Sequence, residues 1–143
     1  MDIKVIGVIG AGTMGHGIAQ VALQAGFQVL LGDVAKDILE KARSRIAFGL
    51  AKGVEKGKFS ETQKEEMFKN LTLATTLADF AAADFVIEAV AEDFSIKKDV
   101  LGELDRVCRP EVILATNTSS ISITKIAATT STPSRVIGMH FFN

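Results

Sequence analysis

One cysteine in 143 residues, Cys108, is too few for an intrachain disulfide, so no covalent staple is available and the chain fits a reducing compartment. Val107 before it and Arg109-Pro110 after it mark an expected helix-to-strand junction, a place for a small buried filler. Neither sign of charge is in excess. Lys and Arg number 16 against 17 Asp and Glu, a net charge of −1, so there is no strongly basic surface for a nucleic-acid partner. No apolar run approaches the ~18 residues of a membrane span. Met1-Asp2 runs straight into an apolar, β-rich segment, and no signal peptide is expected. Internal repeats, linkers and low-complexity segments are also missing. With 48% hydrophobic and 23% charged residues, the expectation is a single globular domain over residues 1–143, in the cytoplasm, with no metal site.

The first 33 residues carry the densest pattern. Ile3 to Ile9 reads as a strand, and Gly10-Ala11-Gly12-Thr13-Met14-Gly15 follows at once. In such a turn Gly10 permits the tight exit from the strand, Gly12 lets backbone amides approach a pyrophosphate, and Gly15 lets the next helix pack closely on the sheet. That helix presents unpaired N–H groups and the positive end of its dipole to the phosphates. Met14, Ile18, Val21 and Ala22 are expected as its apolar stripe, with Gly26 ending it. A second strand, Gln28 to Leu31, delivers Asp33, about 20 residues beyond the glycines, where a carboxylate accepts from ribose hydroxyls. A carboxylate there repels a 2′-phosphate, and Val34-Ala35 offers no arginine to receive one, so NAD is favoured over NADP.

Beyond Asp33 the period becomes helical. Ile38, Leu39, Ala42, Ile46 and Leu50 recur from Lys36 to about Lys52, Gly53 and Gly57 are expected to break the helix, and Ser60-Glu61-Thr62-Gln63 reads as a capping box opening a second helix to about Lys69. Two helices exceed what a crossover needs, which predicts a helical hairpin projecting from the sheet. Lys36 to Lys58 holds seven basic residues against three acids, either a solvated face or a landing site for a phosphorylated substrate. Short strands are expected at Leu71 to Ala74, Asp84 to Ala89, Val112 to Ala115 and Val136 to Met139. Helices are expected at Ile96 to Val107 and Ile123 to Ala128. The alternation implies an α/β fold of Rossmann type, a doubly wound and mainly parallel sheet.

In such a sheet the reactive part of a ligand lies at the carboxyl ends of the later strands. Three segments end there: Ala89-Val90-Ala91-Glu92, Thr116-Asn117-Thr118-Ser119-Ser120, and Gly138-Met139-His140-Phe141-Phe142-Asn143. A hydroxyl, an imidazole and an amide converging on a nicotinamide suit the oxidation of an alcohol, since an imidazole titrates near neutrality and can take the hydroxyl proton. His16, between Gly15 and Gly17 in the first helical turn, faces the phosphate end and is read as non-catalytic.

The G-A-G-T-M-G turn, E-A-V-A-E, N-T-S-S and G-M-H-F-F-N resemble the L-3-hydroxyacyl-CoA dehydrogenase family, in particular its bacterial 3-hydroxybutyryl-CoA branch, and the resemblance covers the whole chain. It implies that His140 is the general acid/base and that Ser119 hydrogen-bonds the substrate oxygen. It also implies that Asn117, Ser119 and Asn143 meet the cofactor, Glu92 and Lys97 contact its ribose and nicotinamide side, and Lys52 and Lys56 lie near the CoA phosphates. In the family a glutamate and an asparagine further along complete the site, and an all-helical domain supplies the rest of the acyl-CoA contacts and much of a homodimer interface. The chain is therefore expected to be the nucleotide-binding domain of a larger enzyme. Two other readings share the scaffold: a non-enzymatic protein like λ-crystallin, and another β-hydroxyacid or nucleotide-sugar dehydrogenase. N-T-S-S together with His140 argues against the last.

Overall fold

Strands of a parallel sheet are buried on both faces, so they appear as short, nearly continuous apolar runs. Six such runs form strands in the computed structural model, which describes residues 2–142: β1 (Val5–Ile9), β2 (Gln28–Gly32), β3 (Leu71–Ala74), β4 (Phe85–Glu88), β5 (Ile113–Thr116) and β6 (Val136–Gly138). They pair in the order β3-β2-β1-β4-β5-β6, and every pair is parallel. The chain winds outward from β1 to one edge, then returns to β4 and winds to the other. The carboxyl ends of β1 and β4 thus flank the point where the winding reverses, the position at which such sheets bind ligands.

Helices α1 (Thr13–Gln24), α2 (Lys36–Glu55), α3 (Glu61–Lys69), α4 (Phe94–Val107) and α5 (Ile123–Ala127) fill the crossovers, with 3-10 turns at Leu77–Ala82 and Pro133–Arg135. Successive strand residues point to opposite faces, and the core divides accordingly. Val8, Ile87 and Ala115 join α1 and α2 in one apolar cluster, whereas Ile9, Val86 and Leu114 join Phe80, Leu101, Leu104 and Ile126 in the other.

Several local expectations shift. The buried stripe of α1 is Ile18, Ala19, Ala22 and Leu23, while Val21 is 55% exposed and faces outward. On α2 Leu39, Ala42, Ile46 and Leu50 are buried as expected, but Ile38 lies at the surface. Gly53 does not break α2. It is buried inside the helix, where a side chain would collide with the Phe59 ring, and the helix continues to Glu55 before Gly57 takes a positive φ of 74°. The capping box of α3 is formed: the Gln63 N–H donates to Ser60 Oγ at 3.1 Å, and the Ser60 N–H donates to Gln63 Oε1 at 2.8 Å. The α2–α3 hairpin is anchored along its inner face, with Leu39, Ile46 and Leu50 packed in the α1 cluster. Burial of each contributes about 1.5–3 kcal/mol.

Two clasps hold distant chain together. Asp84 accepts from the N–H groups of Lys4 and Val5, each at 2.9 Å, and from Arg109 at 2.5 Å. Those contacts hold its carboxyl down at about 2, and they occupy the backbone donors of Lys4 and Val5 just where β1 begins. Arg135, buried, donates to the carbonyls of Arg109, Val112 and Asp105 and to the Asp105 carboxylate, fixing the approach to β6. Cys108 is buried at the end of α4 with its sulfur 3.6 Å from the Phe80 carbonyl, and burial pushes its thiol pKa up. It packs as a filler, as expected. Among the described residues no helix is long and apolar enough to cross a membrane.

Candidate active site

The Gly-rich turn is built by steric exclusion. Gly10 has φ +104°, and a side chain there would run into the backbone of Ala89 at the end of β4. Its N–H donates to the Gly32 carbonyl at 2.8 Å, and Ala89 N–H donates to the Ile9 carbonyl at 2.7 Å, so the turn is seated between β2 and β4. A Cβ on Gly15 would overlap the carbonyl oxygen of Gly10. Close approach at Gly15 is therefore between helix and turn. Gly12 differs: it is exposed, and a Cβ there would meet nothing within 4 Å.

α1 starts without a capping side chain and without an acid in its first turn, so the chain fills none of its leading N–H positions with a carboxylate or hydroxyl of its own. An uncapped, positively polarised terminus opening on empty space fits the pyrophosphate of a dinucleotide. Asp33 borders the same space. Its Oδ2 accepts from the Ala11 N–H and its Oδ1 from the Ala35 N–H, both at 3.0 Å, which fixes the carboxylate at the tip of β2. His16 Nδ1 donates to the Gly12 carbonyl at 2.9 Å, a local contact at the phosphate end.

The other end is a cavity of about 200 Å³ lined by Met14, Ala89, Val90, Glu92, Lys97, Asn117, Ser119, His140 and Phe141. It gathers residues from the ends of β4, β5 and β6 and from the start of α1 and α4. Asn117 Oδ1 accepts from the Phe141 N–H at 2.7 Å, tying the exit of β5 to the segment that bears His140. The His140 imidazole is exposed and meets the Phe142 ring edge-on, centroids 4.6 Å apart. Glu92 Oε1 accepts from the Thr118 hydroxyl at 2.6 Å, and its Oε2 accepts from Ser119 N–H at 3.0 Å and from Ser119 Oγ at 3.1 Å. Burial raises the Glu92 pKa, but those hydrogen bonds and the Lys97 charge outweigh it and bring the carboxyl to about 2.

Beneath Glu92 the expected cofactor contact Lys97 is paired with Glu88, the first residue of E-A-V-A-E, to which the sequence reading gave no role. Glu88, the last residue of β4, is wholly buried, and Lys97 is 2% exposed. Glu88 Oε2 accepts from Lys97 Nζ at 2.7 Å and from Val90 N–H at 2.8 Å, and its Oε1 accepts from the Thr116 hydroxyl at 2.6 Å. Lys97 thus reaches the cavity as part of its floor, its ammonium engaged with Glu88. The signals in the sequence are the first acid of E-A-V-A-E, closing the apolar run Phe85-Val86-Ile87-Glu88, and a lysine nine residues on. Lys52 and Lys56 sit together at the exposed end of α2, Lys52 with its ammonium 5.0 Å from the Phe48 ring centre, and neither lines the cavity. Asn143 lies outside the described residues.

A doubly wound parallel sheet, a glycine turn at the end of β1, an acid at the end of β2 and a polar cavity beside them define a dinucleotide-binding domain of Rossmann type. The model of the family described as 3-hydroxyacyl-CoA dehydrogenase, NAD binding domain, matches residues 5–143, and the chain belongs to that family. It is 48% identical over 143 residues to a probable 3-hydroxybutyryl-CoA dehydrogenase of Bacillus subtilis, covering all of this chain and 50% of that protein. It is 46% identical to a 3-hydroxyadipyl-CoA dehydrogenase of Escherichia coli, again over the whole chain and 30% of the relative. The crystal structure of (S)-3-hydroxybutyryl-CoA dehydrogenase from Ralstonia eutropha superposes with a TM-score of 0.95 at 41% identity, over 99% of this chain and 50% of that one. The chain spans about half the length of the first of these curated relatives.

Proposed function

We propose that this chain is the NAD-binding part of a cytoplasmic enzyme that interconverts the 3-hydroxy and 3-keto groups of an acyl-CoA, 3-hydroxybutyryl-CoA being the preferred candidate. The observation that carries the proposal is the shared cavity: Ser119 and His140 line one space, which opens beside the Gly-rich turn. NAD, when bound, supplies the acceptor for the hydride leaving C3 of the substrate. The chain's own residues hold the rest. The amides opening α1 meet the pyrophosphate, Asp33 accepts from the adenosine ribose, and His140 takes the proton of the 3-hydroxyl as the carbonyl forms.

Ser119 has a defined polarity in this scheme. Its hydroxyl donates to Glu92, and because the single proton of the substrate's 3-hydroxyl goes to His140, Ser119 meets that oxygen by turning its own O–H toward it while its N–H stays on Glu92. The relatives are named for different acyl groups, 3-hydroxybutyryl and 3-hydroxyadipyl, at similar identity to this chain. That similarity supports a domain that recognises the 3-hydroxyacyl centre and leaves the acyl tail to other parts of the enzyme. On the family resemblance, a helical domain beyond residues 1–143 completes the acyl-CoA site and forms a homodimer.

The test uses the chain as it stands and a version carrying the relatives' full length. The chain should bind NADH in a calorimetric titration yet reduce acetoacetyl-CoA far more slowly than the longer enzyme. In the longer enzyme His140→Ala should lower kcat by about 10²–10⁴-fold with NADH affinity unchanged. Undiminished turnover in that variant would refute the role given to His140.

A further inference from the structure

Glu88 and Lys97 are charged and almost wholly removed from water, at 0% and 2% exposure. Desolvating such a pair costs several kcal/mol per ion, and an apolar pair of the same volume commonly stabilises a core as well or better. Packing alone therefore does not explain why β4 ends on a carboxylate. The third member of the group does. Lys97 Nζ lies 2.7 Å from Glu88 Oε2 and 3.6 Å from Glu92 Oε1, so one ammonium faces two carboxylates and the buried one holds it. The Val90 carbonyl accepts a further bond from it at 3.2 Å. Because Glu88 neutralises the lysine, Glu92 keeps both oxygens for the Thr118 hydroxyl and for the N–H and hydroxyl of Ser119.

We infer that Glu88 is a positioning residue for the reactive end of the site: it retains the Lys97 ammonium at the cavity floor so that Glu92 can hold the Thr118–Ser119 loop in the shape that receives the nicotinamide. Glu88 touches neither cofactor nor substrate and acts through Lys97 and Glu92. Thr116 supports it from β5, where the two residues are paired in register and the Thr116 hydroxyl donates to Glu88 Oε1. The inference rests on the reading that this cavity takes the nicotinamide half of NAD.

Glu88→Gln keeps the shape of the side chain and removes its charge. Among the described residues Lys97 then has Glu92 as the one anion within reach, and draws it from Ser119. The experiment titrates the 143-residue chain with NADH and, separately, with ADP-ribose, which retains the pyrophosphate and adenosine but has no nicotinamide. In Glu88→Gln the NADH affinity should fall about tenfold, the loss of one charge-assisted hydrogen bond, while ADP-ribose affinity changes by less than about twofold. A merely structural role would weaken both ligands alike. Equal losses, or an unchanged NADH affinity, overturn the inference. Should Glu88→Gln not fold, Thr116→Val decides, since it removes one donor to Glu88 and leaves every charge in place. It should weaken NADH selectively and by a smaller factor, and equal effects on the two ligands overturn the inference. A wild-type chain that binds neither ligand refutes the NAD reading itself, and the inference falls with it.

Discussion

Gly15→Ala and Gly12→Ala place the same methyl three residues apart and should fail in different ways. At Gly15 the new Cβ would occupy the space of the Gly10 carbonyl oxygen. Ordinary contact lies near 3.5 Å, so α1 must back away from the turn by more than ~1 Å. The obstacle is backbone, which has no rotamer to escape into. The cost therefore falls at the upper end for overpacking, about 3 kcal/mol, or roughly 6–12 °C in Tm for a domain near this size. The same displacement carries the leading amides of α1 out of hydrogen-bond range of a fixed pyrophosphate. Losing two bonds to charged oxygen at about 1.5–3 kcal/mol each weakens NADH by at least ~100-fold. At Gly12 a Cβ meets nothing within 4 Å and the backbone φ is −74°, so the fold should be unharmed. There the methyl intrudes on the ligand's approach, and NADH should weaken with Tm unchanged or slightly raised. Thermal unfolding and calorimetric titration of both variants separate the cases. A Gly15→Ala chain with wild-type Tm and wild-type NADH affinity would refute the contact on which the reasoning rests, and a Gly12→Ala chain that binds NADH normally would refute the open phosphate face.

Asp33→Ala should weaken both NADH and NADPH, because the carboxylate also holds Ala11 N–H in the turn. NADH should lose more in parallel titrations, since the ribose contact goes too, and equal losses would remove Asp33 from the ribose. The Glu92 carboxyl lies near 2 in the folded chain against an ordinary 4.5, so the stability it confers is complete above 4.5 and disappears as pH falls toward 2. The Tm difference between wild type and Glu92→Gln should accordingly hold steady from neutral pH down to that point and close below it; a difference that already closes nearer neutrality would assign the pH dependence to another group. In the full-length enzyme, Lys56→Ala should raise the KM for acetoacetyl-CoA and leave kcat nearly unchanged, the pattern of uniform binding lost far from the reacting carbon. The effect should shrink at high salt, and a fall in kcat at constant KM would contradict a phosphate landing site.

What was legible in the sequence is what depends on near neighbours in the chain. The Gly-rich turn, Asp33 and the Ser60–Gln63 box are local devices, and each formed where its spacing placed it. Gly53 was misread because its meaning depends on Phe59, whose ring lies where a side chain on the helix would go. Val21 and Leu23 exchange roles for a similar reason: an apolar stripe on α1 can rotate by a residue or two, and only the partners α2 and β1 decide which face is inside. Ser119 and His140 follow adjacent strands, so the rule that ligands lie at the carboxyl ends of the strands brings them to one site, and only the role expected of each comes from family resemblance. Glu88 was missed because a buried acid and a surface acid at a strand end look the same until α4 is known to return a lysine beneath it.

The winding order also sets a sequence of events in folding. β1 meets β2 across short connections, as the Ala11–Asp33 bond over 22 residues shows, whereas the Val5–Asp84 clasp that seats β1 beside β4 spans 79. Closing the longer loop costs about 1 kcal/mol more in chain entropy, and it must wait until β4 has been synthesised. The part that grips the adenosine and pyrophosphate can therefore collapse while the later strands are still emerging from the ribosome, with the β4 edge of β1 left bare until Asp84 arrives. Slowing of that final zipping would leave an unpaired parallel edge in the middle of the sheet, a template on which another chain can pair.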